Sequence, residues 1–173
     1  MRQMARYGFV LSLICVVASV SLALVNRLTK PRIIAQAKAE EEASLKEVMP
    51  EAIRFEAVKS AEGVLYYKAY GADAKLIGAA FKASHKGYSS VVETMVGMSR
   101  DGTITAIKVV SQNETPGLGA RVSETSFTGQ FKNKNIDLDG VQAITGATIS
   151  SRAVIDAVKE KAREIERLIK NAG

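Results

Sequence analysis

The longest apolar stretch of the chain lies near its start. Between Arg6 and Arg27 there are 20 residues without a charged side chain. About 20 apolar residues in an α-helix, each rising 1.5 Å, cross the hydrocarbon core of a bilayer. A cleavable signal peptide is the alternative, and Ser21-Leu22-Ala23 offers a weak cleavage site for it. The uninterrupted length favours a retained single-pass anchor over residues 7–26, preceded by a tail over residues 1–6.

The charges that flank the anchor leave its orientation open. Two arginines precede it and three basic residues follow it: Arg2, Arg6, Arg27, Lys30 and Arg32. The positive-inside rule therefore selects neither direction. Residues 27–49 combine lysine and glutamate with spaced aliphatic side chains and are followed by Pro50, which predicts a helix. This helix either stands off the membrane as a stalk or packs against the domain that follows.

The pattern then changes, and residues 50–173 predict one α+β domain. Runs of aromatic, β-branched and alternating residues predict strands over 63–70, 76–84, 91–98 and 103–111. Asp101-Gly102 marks a tight turn between the last two strands, so we expect an antiparallel meander. The final pattern has apolar side chains at helical spacing, which predicts a C-terminal helix capped by Ser150 or Ser151. Strands followed by a helix indicate helices packed against a mainly antiparallel sheet.

Composition changes this picture by exclusion. The chain has 173 residues, with one Cys and one His. A protein-ligated iron–sulfur cluster, a usual zinc site, an internal disulfide and a Cys–His nucleophile pair all need more of these side chains. Any redox or hydrolytic chemistry therefore depends on carboxylates, hydroxyls, backbone amides or an added cofactor.

The formal net charge of +6 does not identify a partner by itself. A basic chain can bind nucleic acid, but here the basic residues are interspersed with acidic ones and form no dense run. We expect no nucleic-acid partner. A module that binds nucleic acid or anionic lipid head groups is kept as a third hypothesis, and it predicts a steep dependence of binding on salt.

A loop of small residues is the first segment with candidate chemistry. It reads Glu114-Thr115-Pro116-Gly117-Leu118-Gly119, and Pro followed by Gly suits a type II turn. One interpretation is a loop whose backbone a flat ligand can approach closely, with Glu114 as a polar clamp. The other is a plain connection between two elements.

A hydroxylated segment directly before the C-terminal helix is the second. It reads Ile144-Thr145-Gly146-Ala147-Thr148-Ile149-Ser150-Ser151. The start of a helix offers free N–H groups and the positive end of the dipole, which together favour an anion. Thr145, Thr148, Ser150 and Ser151 would then surround a phosphate. Ordinary N-capping uses the same residue types, so both interpretations stay open.

Together the two segments resemble the covalent-FMN domain of RnfG proteins, which belong to the Rnf electron transport complex. NqrC, from the sodium-pumping NADH:quinone oxidoreductase, is a similar protein. The family pattern Ser/Thr-Gly-Ala-Thr-x-Ser/Thr is matched by residues 145–150, and residues 114–119 match its ETPGLG loop. The run Gly87-Tyr88, Met95-Val96-Gly97 and Asp101-Gly102 and the single N-terminal span also fit. Family members often carry Asp three residues before the motif, where this chain has Gln142.

The resemblance implies a site built around FMN joined by a phosphoester to the Thr148 hydroxyl. The residues around it would be Thr145, Gly146, Ala147, Ser150, Ser151, Glu114, Thr115, Pro116, Gly117, Leu118 and Gly119. A threonine hydroxyl without an adjacent base is a poor nucleophile. Attachment therefore calls for an external flavin transferase, which in this family draws FMN from FAD.

The resemblance also implies a role for the whole chain. It would be an electron relay within an ion-translocating ferredoxin:NAD oxidoreductase, in contact with the other proteins of that complex and with membrane lipid. It would lie in the inner membrane of the cell, with its FMN domain outside the cytoplasm, and would pass electrons rather than turn over a substrate of its own. The alternative is a cofactor-free, membrane-anchored scaffold or assembly component of a redox complex. The chain has no dinucleotide fingerprint, which argues against a self-contained flavin reductase.

Overall fold

The N-terminal part of the chain forms one long helix, α1 (Arg2–Val48). The computed structural model describes residues 2–60 and 63–171. Within α1 lies a window apolar enough to cross a membrane, and none of that window is buried against protein. The expected end of the helix near Met49 is confirmed. The expected divisions between tail (1–6), anchor (7–26) and stalk (27–49) are not marked by breaks in α1, and they remain predictions about its position in a membrane.

The chain divides into two units, Met1–Glu42 and Ala43–Gly173. The second unit is built on a five-stranded antiparallel sheet whose strands are neighbours in chain order. The strands are β1 (Arg54–Ser60), β2 (Gly63–Tyr70), β3 (Leu76–Lys86), β4 (Val91–Ser99) and β5 (Ile104–Ser111). The predicted meander and its four strands are confirmed. The sequence prediction missed β1, an edge strand whose residues are mostly exposed and which therefore lacks a strong apolar run.

One face of the sheet is covered by the C-terminal helix, α3 (Thr148–Asn171). Val154, Val158 and Ile165 of α3 are buried in one cluster with Phe81 and Val96 of the sheet. Burial of each such side chain contributes about 1.5–3 kcal/mol. The segment between β5 and α3 completes this layer with two 3-10 turns (Gly119–Ser123 and Gly129–Phe131) and a short helix, α2 (Thr125–Thr128).

The opposite face of the sheet is covered by the last turn of α1. Leu45, Val48 and Met49 are buried in a second cluster with Ala80 and Met95. The Thr105 hydroxyl donates a hydrogen bond of 2.6 Å to the Val48 carbonyl oxygen, and Lys108 pairs with Glu47 at 2.6 Å. The sheet is therefore buried on both faces, which agrees with the expected class of helices against an antiparallel sheet.

A glycine on β4 permits this close packing and leads to a first prediction. A Cβ on Gly97 would lie closer than 3.0 Å to the Val48 carbonyl oxygen and to the Thr105 hydroxyl. The main-chain oxygen cannot move without shifting α1. We expect Gly97→Ala to lower the free energy of unfolding by about 1–3 kcal/mol, as overpacking does. Thermal unfolding of the full chain in detergent, followed by circular dichroism, measures this.

Gly129→Ala is the matched control for that variant. Gly129 has φ −63°, which alanine adopts readily, and nothing lies within 4 Å of its added Cβ. We expect its midpoint to stay constant or to rise slightly, since alanine restricts the unfolded chain. Equal midpoints for the Gly97→Ala protein and the wild type would contradict the packing described here.

Candidate functional site

A cleft of about 520 Å³ lies where three segments of the domain meet. These segments are the turn between β3 and β4, the glycine-containing loop after β5 and the start of α3. The residues that line the cleft are Tyr88, Glu114, Thr115, Leu118, Gly119, Gly146, Ala147, Thr148, Ile149 and Ser150. The two segments singled out in the sequence therefore form one site. Leu118 of the first segment and Ser150 of the second both line the cleft, although they are 32 residues apart in the chain.

The cleft includes eight of the twelve predicted site residues. They are Glu114, Thr115, Leu118, Gly119, Gly146, Ala147, Thr148 and Ser150. The other four, Pro116, Gly117, Thr145 and Ser151, are not part of its lining. Contact with a cofactor remains a prediction for all twelve residues. Two lining residues were missed, Tyr88 and Ile149. Tyr88 belonged to the Gly87-Tyr88 pair of the family resemblance, which was the available signal for it.

The start of α3 differs from the sequence prediction. The Ser151 N–H donates to the Ala147 carbonyl oxygen at 2.9 Å, so Ala147 takes the N-cap position and Thr148 is the first helical residue. The expected capping by Ser150 or Ser151 is wrong, because both serines lie within the first turn. The hydrogen bond from Ser151 is the first that joins residues four apart at the start of α3. The N–H groups of Thr148, Ile149 and Ser150 come before it and are available to an anion.

Ser151 closes the turn that leads into α3. Its hydroxyl donates to the Ala147 carbonyl oxygen at 2.9 Å and accepts a hydrogen bond from the Ile144 N–H at 3.0 Å. Gly146 lies in this turn with φ +83°, a conformation that favours glycine. Ser151 is completely buried, so its hydroxyl holds the turn in place and faces protein groups.

Glu114 joins all three segments of the cleft. Its carboxylate accepts hydrogen bonds from the N–H groups of Tyr88 (3.1 Å), Ser89 (3.0 Å) and Ser90 (2.9 Å), and from the Ser150 hydroxyl. The sequence suggested a polar clamp on a ligand. The structure shows both carboxylate oxygens held by protein groups, so Glu114 fastens the walls of the cleft to one another.

The surroundings of Glu114 stabilise its charged form. Burial raises the pKa of its carboxyl, but the hydrogen bonds from Ser150 and from the three backbone N–H groups outweigh burial. The resulting pKa lies below its ordinary value of 4.5. Glu114 is therefore ionised at neutral pH. Gly119 allows the Ser150 hydroxyl to approach the carboxylate, because a Cβ at Gly119 would lie 2.6 Å from the Ser150 hydroxyl oxygen.

The cleft leaves one hydroxyl of the second segment open to a ligand. All of residues 144–151 are described by the structure, and among their four hydroxylated side chains Ser150 and Ser151 are buried. Thr145 is exposed but lies outside the cleft lining. Thr148 is exposed and also lines the cleft. The geometry therefore distinguishes Thr148 from its neighbours.

Known proteins with related sequences share both parts of the chain. Residues 1–48 match the RnfG N-terminal region, and residues 87–163 match the FMN-binding domain. The G subunit of the proton-translocating ferredoxin:NAD(+) oxidoreductase complex of Clostridium ljungdahlii is 33% identical over 166 residues, which cover 90% of this chain and 88% of the relative. The chain belongs to the RnfG family.

Further relatives agree with this assignment. The G subunit of the ion-translocating oxidoreductase complex of Methanosarcina acetivorans is 36% identical over 161 residues, covering 84% of this chain and 85% of the relative. The crystal structure of Shewanella oneidensis NqrC has a TM-score of 0.55 at 21% identity, over 72% of this chain and 74% of that one. This likeness concerns the fold. The expected family and the expected FMN-binding domain are confirmed.

The residues of the cleft suit FMN. Thr148, an exposed residue with a hydroxyl, is the first residue of α3 and lies beside N–H groups that favour a phosphate. Three apolar side chains of the lining are open to solvent: Tyr88 (69% exposed), Leu118 (50%) and Ile149 (56%). A flat aromatic group bound there would cover these side chains. The phosphate of FMN would thus match the start of α3, and its ring system would match the apolar side chains of the cleft.

Proposed function

We propose that this protein carries FMN as a phosphoester on Thr148. It relays electrons through that flavin as a component of an ion-translocating ferredoxin:NAD oxidoreductase complex. The observation that carries the proposal is the exposed Thr148 hydroxyl in the cleft of an FMN-binding domain. Relatives from Clostridium ljungdahlii and Acetobacterium woodii are named as the G subunits of such complexes. The other proteins of the complex and membrane lipid are therefore the proposed partners.

Attachment is proposed to need a separate flavin transferase. Glu114, the carboxylate that lines the cleft, is ionised but already accepts five hydrogen bonds, and His85 is exposed and absent from the lining. No cleft-lining residue among those described is placed as a base for Thr148. With FAD as donor, the transfer breaks the bond between the two phosphates and joins FMN to the threonine oxygen. AMP leaves with the threonine proton.

The protein's own groups then hold and orient the cofactor. The N–H groups at the start of α3 would hold the phosphate, whose negative charge the positive end of the helix dipole would stabilise. Leu118 and Ile149, which are exposed in the cleft, would pack on a bound flavin and exclude water from that side, while Glu114 keeps the walls of the cleft together. When bound, the flavin supplies redox chemistry with electrons passed singly or in pairs. Firm positioning of the cofactor suits a relay.

The proposed location is the inner membrane of the cell, with α1 as the single span and the FMN domain outside the cytoplasm. A covalent cofactor cannot be lost where free flavin is unavailable, which favours that side. The single cysteine, Cys15, permits a direct test. In a Cys15→Ser background, a cysteine placed at exposed Ser126 should react with an impermeant maleimide on intact cells. Labelling that requires lysis would contradict this orientation.

Peptide mapping tests the proposed linkage. Trypsin cleaves after Lys134 and Arg152, so residues 135–152 form one peptide that contains Thr148. We expect this peptide, from protein made together with an active flavin transferase, to gain the mass of FMN less one water. Fragmentation should place the added mass on Thr148. An unmodified peptide under these conditions would support the cofactor-free scaffold.

A further inference from the structure

Tyr88 is an exposed aromatic residue that packing does not explain. It lies in the turn between β3 and β4 and lines the cleft together with Thr148, while 69% of its surface stays exposed. Other tyrosines of the domain have partners within the protein. Tyr66 is buried in the core beneath α3, Tyr67 packs with the cluster at the end of α1, and Tyr70 stacks with the Arg54 guanidinium.

The backbone that carries Tyr88 is held firmly. Its N–H donates to Glu114 Oε2 at 3.1 Å, and the Gly87 N–H donates to the Ser90 carbonyl oxygen at 2.7 Å. Gly87 leaves room for this arrangement, because a Cβ there would lie 2.7 Å from Glu114 Oε1. Because the backbone is already fixed, only the two side-chain torsions of Tyr88 have to be ordered when its ring meets a flat ligand.

The same carboxylate ties Tyr88 to the attachment point. Glu114 Oε2 accepts both the Tyr88 N–H and the Ser150 hydroxyl, and Ser150 lies in the first turn of α3, two residues after Thr148. The cleft lining contains one aromatic residue, Tyr88, and its other apolar walls, Leu118 and Ile149, are aliphatic. Tyr88 is thus the lining side chain that can stack on a ring system.

We propose that Tyr88 is a positioning residue that stacks on the isoalloxazine ring of FMN attached to Thr148. This inference rests on the function proposed above. Stacking would cover one face of the ring, shield it from water and hold it against the aliphatic walls of the cleft. An aromatic pair contributes about 0.5–1.5 kcal/mol beyond its buried area. This range means that the ratio of stacked to unstacked flavin is roughly two- to tenfold higher with the Tyr88 ring than without it.

Two optical signals of the bound flavin test the inference. An electron-rich phenol ring in contact with a flavin quenches its emission, and asymmetric stacking induces circular dichroism in the visible flavin bands. The full chain is purified in detergent after production with a flavin transferase. Because the unstacked flavin escapes quenching, we expect Tyr88→Leu to raise native emission by up to roughly tenfold, relative to the same sample denatured, and to reduce the visible dichroism.

Tyr88→Phe separates stacking from quenching. It keeps the ring and loses the phenol, so emission should rise while the visible dichroism stays near that of the wild type. Tyr70→Leu, which alters a tyrosine outside the cleft lining, is the matched control and should change neither signal. Because the Tyr88 side chain is exposed, the unfolding midpoint of both Tyr88 variants should stay near that of the wild type.

The outcomes distinguish this inference from the proposed function. Flavin fluorescence that stays with the polypeptide in a denaturing gel reports covalent flavin, and its absence in the wild type would reject the function itself. Covalent flavin in all variants, with native emission and dichroism unchanged in Tyr88→Leu, would overturn the stacking role alone. A changed signal in Tyr88→Leu that is matched in full by Tyr70→Leu would also overturn it.

Discussion

Thr148→Val is expected to remove covalent flavin completely. Valine keeps the branched shape of threonine but has no hydroxyl with which to form a phosphoester. Ser150 and Ser151 are buried, with their hydroxyls hydrogen-bonded to Glu114 and Ala147, so they cannot replace it. The loss is measured by flavin fluorescence in a denaturing gel, on protein that was produced together with an active flavin transferase. Thr148→Ser, which restores a hydroxyl, should recover at least part of the band.

The matched control is Thr145→Val, which makes the same change three residues earlier. Thr145 is exposed but does not line the cleft, so we expect its flavin band to stay near that of the wild type. Because Thr148 is exposed, Thr148→Val should change the free energy of unfolding by only about 0.5 kcal/mol. A fluorescent Thr148→Val band, or a dark Thr145→Val band with a bright Thr148→Val band, would assign the linkage elsewhere.

Glu114→Ala is expected to cause the largest loss of stability among single changes at the cleft. It leaves three backbone N–H groups and the Ser150 hydroxyl without their shared acceptor. We expect the free energy of unfolding to fall by about 2–4 kcal/mol, since unpaired donors are costly and only some of them can reach water. Flavin loading should fall with it, because the first turn of α3 loses its tie to the loop. Urea unfolding and in-gel fluorescence measure the two effects.

Glu124→Ala is the control for Glu114→Ala. Glu124 is exposed and pairs with Arg121 at 3.6 Å, so its loss should cost at most about 1 kcal/mol. Its flavin band should match that of the wild type. If Glu114→Ala were as stable as Glu124→Ala and equally loaded with flavin, the joining role of Glu114 would be disproved.

The Glu114 carboxylate should make the free energy of unfolding depend on pH. The folded pKa of Glu114 is lowered from 4.5, so its contribution is fully present above that value and is lost as pH falls through the folded pKa. We expect the wild type to lose stability below pH 4.5 more steeply than Glu114→Gln. Asp101 and Asp137 also have lowered pKa values, but they are unchanged in both proteins. Parallel curves for the two proteins would contradict this account.

Much of the fold could be predicted because its signals are local. The uncharged span before Arg27, the runs of apolar and β-branched residues over β4 and β5, and the helical spacing in α3 each identify an element from its own residues. β1 carries no such signal, because an edge strand buries few of its side chains. The start of α3 was misplaced for another reason. Serines at a helix start suggest caps, whereas here Ser150 donates to Glu114, 36 residues away, and Ser151 closes the turn before the helix.

The sequence by itself determined an N-terminal helix apolar and long enough to cross a membrane, the antiparallel domain and two of the segments that form the cleft, because short-range patterns of polarity and turn chemistry encode them. Only the tertiary structure decided the roles of the individual side chains. Glu114 binds residues up to 36 positions away, Ser151 is enclosed in the turn before α3, and Tyr88 enters the cleft from a third segment. The contacts of Glu114 with Tyr88 and Ser150 join parts of the chain that are 26 and 36 residues apart, and a local pattern of residues does not record them.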